Sequence, residues 1–166
     1  MRIITQRCEL IPYEESHIPD ILKMFREPDS NKFIQPLKDG GEEFWMEKLR
    51  SNLKKNEELL QIWCVYHLEN KDFVGTMNLN EFADTGLDQL GLHLSRKYWG
   101  QGYGYELCLP LIEHAWKVRK LDALHWLYEK EHHVSGKLAK KLGFEPYSEI
   151  EKDGCELFVY KLKKDK

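Results

Sequence analysis

The chain has 166 residues, 42% of them apolar and 32% charged, and carries a formal net charge of -3 at neutral pH. That length suits one domain spanning residues 1-166 and is short for two; no segment is apolar enough to span a bilayer, and the scattered Lys and Arg residues form no basic stripe for a nucleic-acid backbone. Neither nucleic acid nor membrane is an expected partner, and because the opening "MRIITQRCELIPY" has no apolar export segment, a cytoplasmic chain is expected.

In chain order, Ile3 to Pro12 mixes β-branched and polar residues as an edge or half-buried strand does, and Pro12 ends it. Ser16 then offers a cap for a helix with Ile18, Ile21, Leu22 and Phe25 on one face, stopped near Pro28. Asp29 to Gly41 reads as a loop, and Phe44, Trp45, Leu49 and Leu53 line one face of a second helix that runs into "KKNEE". Three strands follow, "QIWCVYHL", "DFVGTMNLNEF" and "LDQLGLHL", separated by the turn-like "ENKD" and "ADTG". This spacing predicts an antiparallel meander. A helix with Leu107, Leu111, Ile112 and Ala115 on one side comes next, then a strand "ALHWLYEK", a short helix ended by Gly143, and a last strand or strands including "CELFVYKL". The result is a mixed α/β sheet. Cys8, Cys64, Cys108 and Cys155 are widely spaced with no C-x-x-C pair, which argues against a metal site or disulfide framework; three of them sit in apolar patterns, as buried thiols do.

The junction "LGLHLSRKYWGQGYGYELCLPLIEHAW" places Gly100, Gly102 and Gly104 where a strand turns into a helix. Without Cβ atoms, successive backbone N-H groups can face a ligand, and the helix start adds partial positive charge. A diphosphate-bearing cofactor fits such a turn, although a tight turn without a ligand uses the same glycines. The G-x-G-x-G spacing and the acid at Asp122, ahead of the next strand, do not match a dinucleotide fold, and no Gly-Lys-Ser/Thr follows for a P-loop. A nucleotide-binding regulatory domain stays a third reading.

The string Leu94-SRKY-Trp99-GQ-Gly102-Y-Gly104 resembles the acetyl-CoA signature of the GNAT superfamily of N-acetyltransferases. Trp99 stands where that signature has Arg or Gln, as in the RimJ/RimL-like, ribosomal-protein N-acetyltransferase branch. "HHVSGKLAKKLGF" is similar to the family's Asn-x-x-Ser helix, with His132 in the Asn position, and "TQRCELIPY" resembles the branch's first strand. The resemblance implies a GNAT fold, a mixed and mostly antiparallel six- or seven-stranded sheet flanked by four helices.

It further implies acetyl-CoA as cofactor, no metal, and a primary-amine acceptor, either a protein N-terminus or a small molecule. The pantetheine arm would pair with the backbone of Leu92 to Leu94 where two strands part. The cofactor would also meet Trp99, Gly100, Gln101, Gly102, Tyr103 and Gly104, with His132 and Ser135 close by. The amine attacks the thioester directly, so a proton must leave the amine and another must reach the departing thiolate.

The Tyr that many members use for the second transfer falls at Ala139; Ser135 can supply it instead, or can merely satisfy the helix start. Asp88, Glu81 and His93 compete as general base, and water-mediated deprotonation needs none of them. The adjacent His132 and His133 point apart on an extended segment, against a metal site, and Glu106 suits the positive end of its helix. Phe33, Phe44 and Trp45 read as core, with one or two free to wall an acceptor pocket. Glu42, Glu43 and Asp84 either attract a cationic amine or form a solvated face. Oligomeric state stays open, a homodimer included. The rival from another class is a CoA-binding sensor or assembly module of the same fold without turnover, which Ala139 and His132 keep in play.

Overall fold

The computed structural model describes residues 1-34, 37, 40-55, 60-82 and 84-165. Its strands are β1 (Ile3–Ile4), β2 (Cys8–Pro12), β3 (Leu60–His67), β4 (Phe73–Glu81), β5 (Asp88–Leu94), β6 (Ala123–Glu129), β7 (Glu145–Lys152) and β8 (Cys155–Lys163). The helices are α1 (Ile18–Phe25), α2 (Glu42–Lys55), α3 (Tyr103–Lys117) and α4 (His133–Lys141). One sheet runs β1-β2-β3-β4-β5-β6-β8-β7. Every neighbouring pair is antiparallel except β5 with β6, which are joined through the α3 crossover that a parallel pair requires.

Alternation along the strands gives the sheet two apolar faces. Leu107, Cys108, Leu111 and Ala115 of α3 are fully buried against one face, with Met77, Leu79, Leu90, Leu124 and Trp126. Full burial of a side chain such as Leu107 is worth about 1.5–3 kcal/mol. The other face is covered by α1, whose Ile18, Ile21, Leu22, Met24 and Phe25 are buried, and by Leu49 of α2. Tyr13 stitches this layer, its hydroxyl donating to the Leu49 carbonyl at 2.8 Å.

Five expectations change. The single first strand is split into β1 and β2, because Thr5 turns the chain: its hydroxyl takes the Cys8 N-H at 3.0 Å, and its own N-H bonds the Cys8 carbonyl. Ser16 caps nothing; it lies in a 3-10 turn, Glu15–His17, and donates to Glu14, whose N-H bonds His17 Nδ1 at 3.0 Å. Phe44 is 44% exposed and not core, since α2 turns Leu49 inward instead. The sheet has eight strands, not six or seven, because the chain doubles back twice at its ends, in β1 and in the solvent-exposed β7. His133 is helical instead of extended, being the first residue of α4. Most of the "KKNEE" segment and part of the Asp29 to Gly41 loop lie outside the described residues.

Gly75 sits where β4 crosses β5 most closely, opposite Leu94. A Cβ there would stand 2.2 Å from the His93 carbonyl oxygen, which is main chain and cannot swing aside. Gly75→Ala is expected to destabilise the fold by about 1–3 kcal/mol, an overpacking cost, readable in urea unfolding. A loss under about 0.5 kcal/mol would show that the two strands part freely.

Candidate functional site

Strand β5 is paired with β4 along its whole length, from Asp88 with Glu81 to Leu94 with Gly75. On its other side the pairing with β6 is confined to Gln89 with His125. From Gly91 to Leu94, that edge of β5 therefore has no strand beside it among the described residues. Past this open edge the chain makes a 3-10 turn, Arg96–Tyr98, and enters the glycine turn.

Gly100 and Gly102 both adopt left-handed backbone, with φ of 67° and 82°, and Gly102 is the N-cap of α3. Only glycine takes such angles without strain. Gly104 serves a different purpose. A Cβ there would come within 2.9 Å of Leu138 and 3.1 Å of Leu92, so its bare backbone lets α3 settle against α4 and β5. The turn, strand β5 and α4 thus meet in one place.

Each remaining residue expected at the cofactor has a definite setting. The Trp99 indole donates to the Leu94 carbonyl at 2.9 Å and the ring is 43% exposed, so it covers part of the open edge. The exposed Gln101 side chain donates to the Lys97 carbonyl. Tyr103 is buried against Tyr98 and His67, which leaves its main chain alone to face a ligand. Leu92 and Leu94 pack into the α3 side of the sheet. His132 is the N-cap of α4, its ring stacked on Phe33 with centroids 4.2 Å apart, so Phe33 does not join the core but closes over the start of α4. Burial holds the His132 imidazole below its ordinary pKa, against the opposing charge of Glu129.

Ser135 does not cap α4. It lies in the first turn, and its Oγ accepts the Trp126 indole N-H at 2.9 Å. That indole is buried and braced edge-on by Phe144, with centroids 5.7 Å apart. With its oxygen already accepting, the Ser135 hydroxyl keeps its own proton to donate. Ala139 is buried in the core and offers no hydroxyl.

The three candidate bases are not together. Asp88 and Glu81 face each other at the closed end of β5, six residues and about 20 Å along the strand from Leu94. His93 lies near the open end but on the α1 side of the sheet. Its Nε2 shares a hydrogen bond with the buried Ser30 hydroxyl at 2.8 Å, and its ring stacks on Phe25 at 5.4 Å. Burial pushes the His93 imidazole down to about 4, and a hydrogen bond to the Ser30 main chain offsets this only in part. Of the acidic residues set near the cleft, Glu42 is engaged by Arg26, while Glu43 and Asp84 are exposed.

Sequence reading missed four partners: Trp126 of Ser135, Ser30 of His93, Phe33 of His132, and Arg7 of Glu106. All four pairs join residues well separated in sequence, from 9 positions for Trp126 and Ser135 to 99 for Arg7 and Glu106. Only the opposite charges of Arg7 and Glu106 could have hinted at a pair, and no spacing rule selects them from the other charges.

Comparison with known proteins places this geometry. The solved structures similar to the chain include the GNAT-family acetyltransferase from Bacillus anthracis, at 17% identity with a TM-score of 0.81, covering 98% of each chain. They also include RimL, a ribosomal L7/L12 alpha-N-protein acetyltransferase solved in complex with coenzyme A, at 15% identity, TM-score 0.81 and 98% coverage of both chains. The ribosomal-protein-S5-alanine acetyltransferase from Vibrio fischeri matches at 16% identity and a TM-score of 0.77, over 99% of this chain and 97% of that one. At such identities the likeness is one of fold, and it accords with the RimJ/RimL-like resemblance of the sequence. Residues 7–145 match the family model described as "Acetyltransferase (GNAT) domain", and the chain belongs to that family.

Proposed function

We propose that the chain is a single-domain, acetyl-CoA-dependent N-acetyltransferase that passes an acetyl group to a primary amine. The observation that carries this reading is the left-handed glycine turn opening α3 directly beside the unpaired edge of β5. The residues fit the cofactor. A Cβ at Gly100 would meet nothing within 4 Å, so the turn faces open space, where N-H groups at a helix start favour phosphate oxygens. The main chain of Gly100 to Gly104 would hold the diphosphate, and the free edge around Leu92 would pair with the amides of the pantetheine arm.

Bound acetyl-CoA supplies the acetyl group as a thioester. An amine forms the new N-C bond as the C-S bond breaks. Ser135 would supply a proton to the leaving sulfur and be reprotonated from solvent. Trp126 makes that donation directional by occupying the Ser135 oxygen. His93, neutral at pH 7, is too weak a base to take a proton from an ammonium ion, and it forms a polar wall with Ser30 on the α1 side. Deprotonation is assigned to water, with Asp88 and Glu81 as the remaining side-chain candidates. A protein N-terminus is the acceptor favoured by the likeness to ribosomal-protein acetyltransferases. The reading without turnover, a CoA-binding module, rests on the buried Ala139.

Three measurements test this. Ser135→Ala should lower kcat by about 10²-fold or more, the usual scale for a lost proton donor, with little change in CoA affinity; thiol release on mixing with acetyl-CoA and a panel of N-terminal peptides, polyamines and amino sugars reads it. An unchanged rate removes Ser135 from the chemistry, and no release by the unaltered protein across the panel favours the module. Gly102→Val should abolish CoA binding by calorimetry, because a β-branched residue resists the left-handed angle and its side chain would crowd the turn; unaltered affinity would move the cofactor elsewhere.

The third concerns pH. The folded-state His93 pKa lies below that of the unfolded chain, so the unfolded state binds the extra proton first. The stability linked to His93 is present above about pH 6.5 and is lost as pH falls toward 4. Its ring resonances should show no titration above pH 5, and a midpoint near 6.5 would restore it as a candidate base.

A further inference from the structure

The start of the chain reaches across to the glycine turn through one carboxylate. Glu106, in the first turn of α3, accepts the Thr5 hydroxyl at 2.7 Å and the Arg7 main-chain N-H at 2.8 Å on Oε1, and Arg7 Nε at 2.7 Å on Oε2. The guanidinium lies over the Tyr103 ring, its Cζ 3.7 Å from the centroid. Its Nη1 then donates to the Gln101 carbonyl at 3.2 Å, inside the turn itself. Arg7 is therefore fixed on three sides.

The last of these bonds sets the direction of a donor. A trans peptide is planar, with its C=O and N-H pointing opposite ways. Holding the Gln101 oxygen toward Arg7 turns the Gly102 N-H away from Arg7 and keeps the left-handed turn from flipping that plane. Burial raises the Glu106 pKa, but the hydrogen bonds from Thr5 and Arg7 and the Arg7 charge outweigh it, and the carboxyl stays below its ordinary range. A carboxylate so near a phosphate site would repel the ligand if left bare. Arg7 cancels that charge while it orients the turn.

The geometry points to Arg7 as a positioning residue for the cofactor's diphosphate: the Arg7–Glu106 pair locks the Gln101–Gly102 peptide so that the turn presents its amides to phosphate. This rests on the acetyl-CoA reading and deepens it. Lysine cannot substitute, because its single ammonium cannot hold Glu106 and the Gln101 carbonyl together in a planar fork.

The test titrates CoA and, separately, pantetheine, which lacks the diphosphate, into the full chain and its variants, with calorimetry for CoA and amide resonances for pantetheine. R7A should weaken CoA at least tenfold, R7K should recover only a minor part, and the weak pantetheine affinity should stay within twofold of the unaltered chain. In the free protein, R7A should also shift the Gly102 amide resonance. Should R7A fail to fold, T5V, which removes one of the donors to Glu106, should give the same selectivity at smaller size. Equal losses for both ligands would reduce Arg7 to general stability, and CoA binding within twofold in R7A would overturn the inference while leaving the acetyl-CoA reading standing. An unaltered chain with no CoA affinity would overturn that reading and this inference with it.

Discussion

The sheet is two antiparallel blocks, β1 to β5 and β6 to β8, and the pairing that joins them is Gln89 with His125. Each block is paired internally along nearly its full length, seven positions between β4 and β5 and seven between β6 and β8. The two edges that diverge beyond Gln89 are therefore held by neighbours that do not depend on their meeting. An exposed strand edge carries N-H and C=O groups that need partners. Here Trp99 takes the Leu94 carbonyl, and the rest of the edge toward Gly91 has no strand beside it among the described residues, the edge that the proposed pantetheine arm would pair with. An opening built this way is preorganised: a ligand that pairs with it does not have to pull strands apart first.

The same strand sorts the two sides of the opening by simple alternation. Leu90, Leu92 and Leu94 turn toward α3, where the glycine turn and Ser135 lie; His93 turns toward α1, where Ser30 and Phe25 receive it. In the proposed reaction, a thioester entering from the α3 side and an amine arriving from the α1 side would meet through the gap between β5 and β6. Phe33, stacked on His132, ties the two sides together at the rim.

How much of this was legible in the sequence follows from the range of the interactions involved. The β3-β4-β5 meander shows as alternation bounded by turn residues, and the glycine turn shows as missing Cβ atoms at a strand-helix junction; both signals are local, and both hold. The division of Ile3 to Pro12 into β1 and β2 was not legible, because polar residues such as Thr5, Gln6 and Arg7 also occur within edge strands, while the carboxylate that braces the Thr5–Cys8 turn, Glu106, lies about a hundred residues away. Ser16 has the chemistry of a cap, but Glu14 and His17 satisfy each other first and shift the helix start to Ile18. Phe44 has the right spacing for a core position and loses it because α2 packs on the layer below through Trp45, Met46, Leu49 and Leu53. Residue types at the site could be read; their partners could not.

Those unread partners divide the labour in the site. In the reading offered here, binding falls to the main chain, through the turn amides and the edge of β5, so the identity of the side chains in the turn matters less than the angles its glycines adopt. Orientation falls to buried or half-buried side chains that never need to touch a ligand: Trp126 aims Ser135, and Arg7 aims the Gln101–Gly102 peptide. This arrangement makes sense of Ala139. A Tyr on the far turn of α4 would bring its own long reach and flexible ring, whereas a Ser in the first turn has a short reach and must be pointed. Its direction comes from an indole locked by Phe144 rather than from α4 itself. If Ser135 is the proton donor, as proposed, its short reach demands a second residue on the neighbouring strand, and β6 supplies one in Trp126.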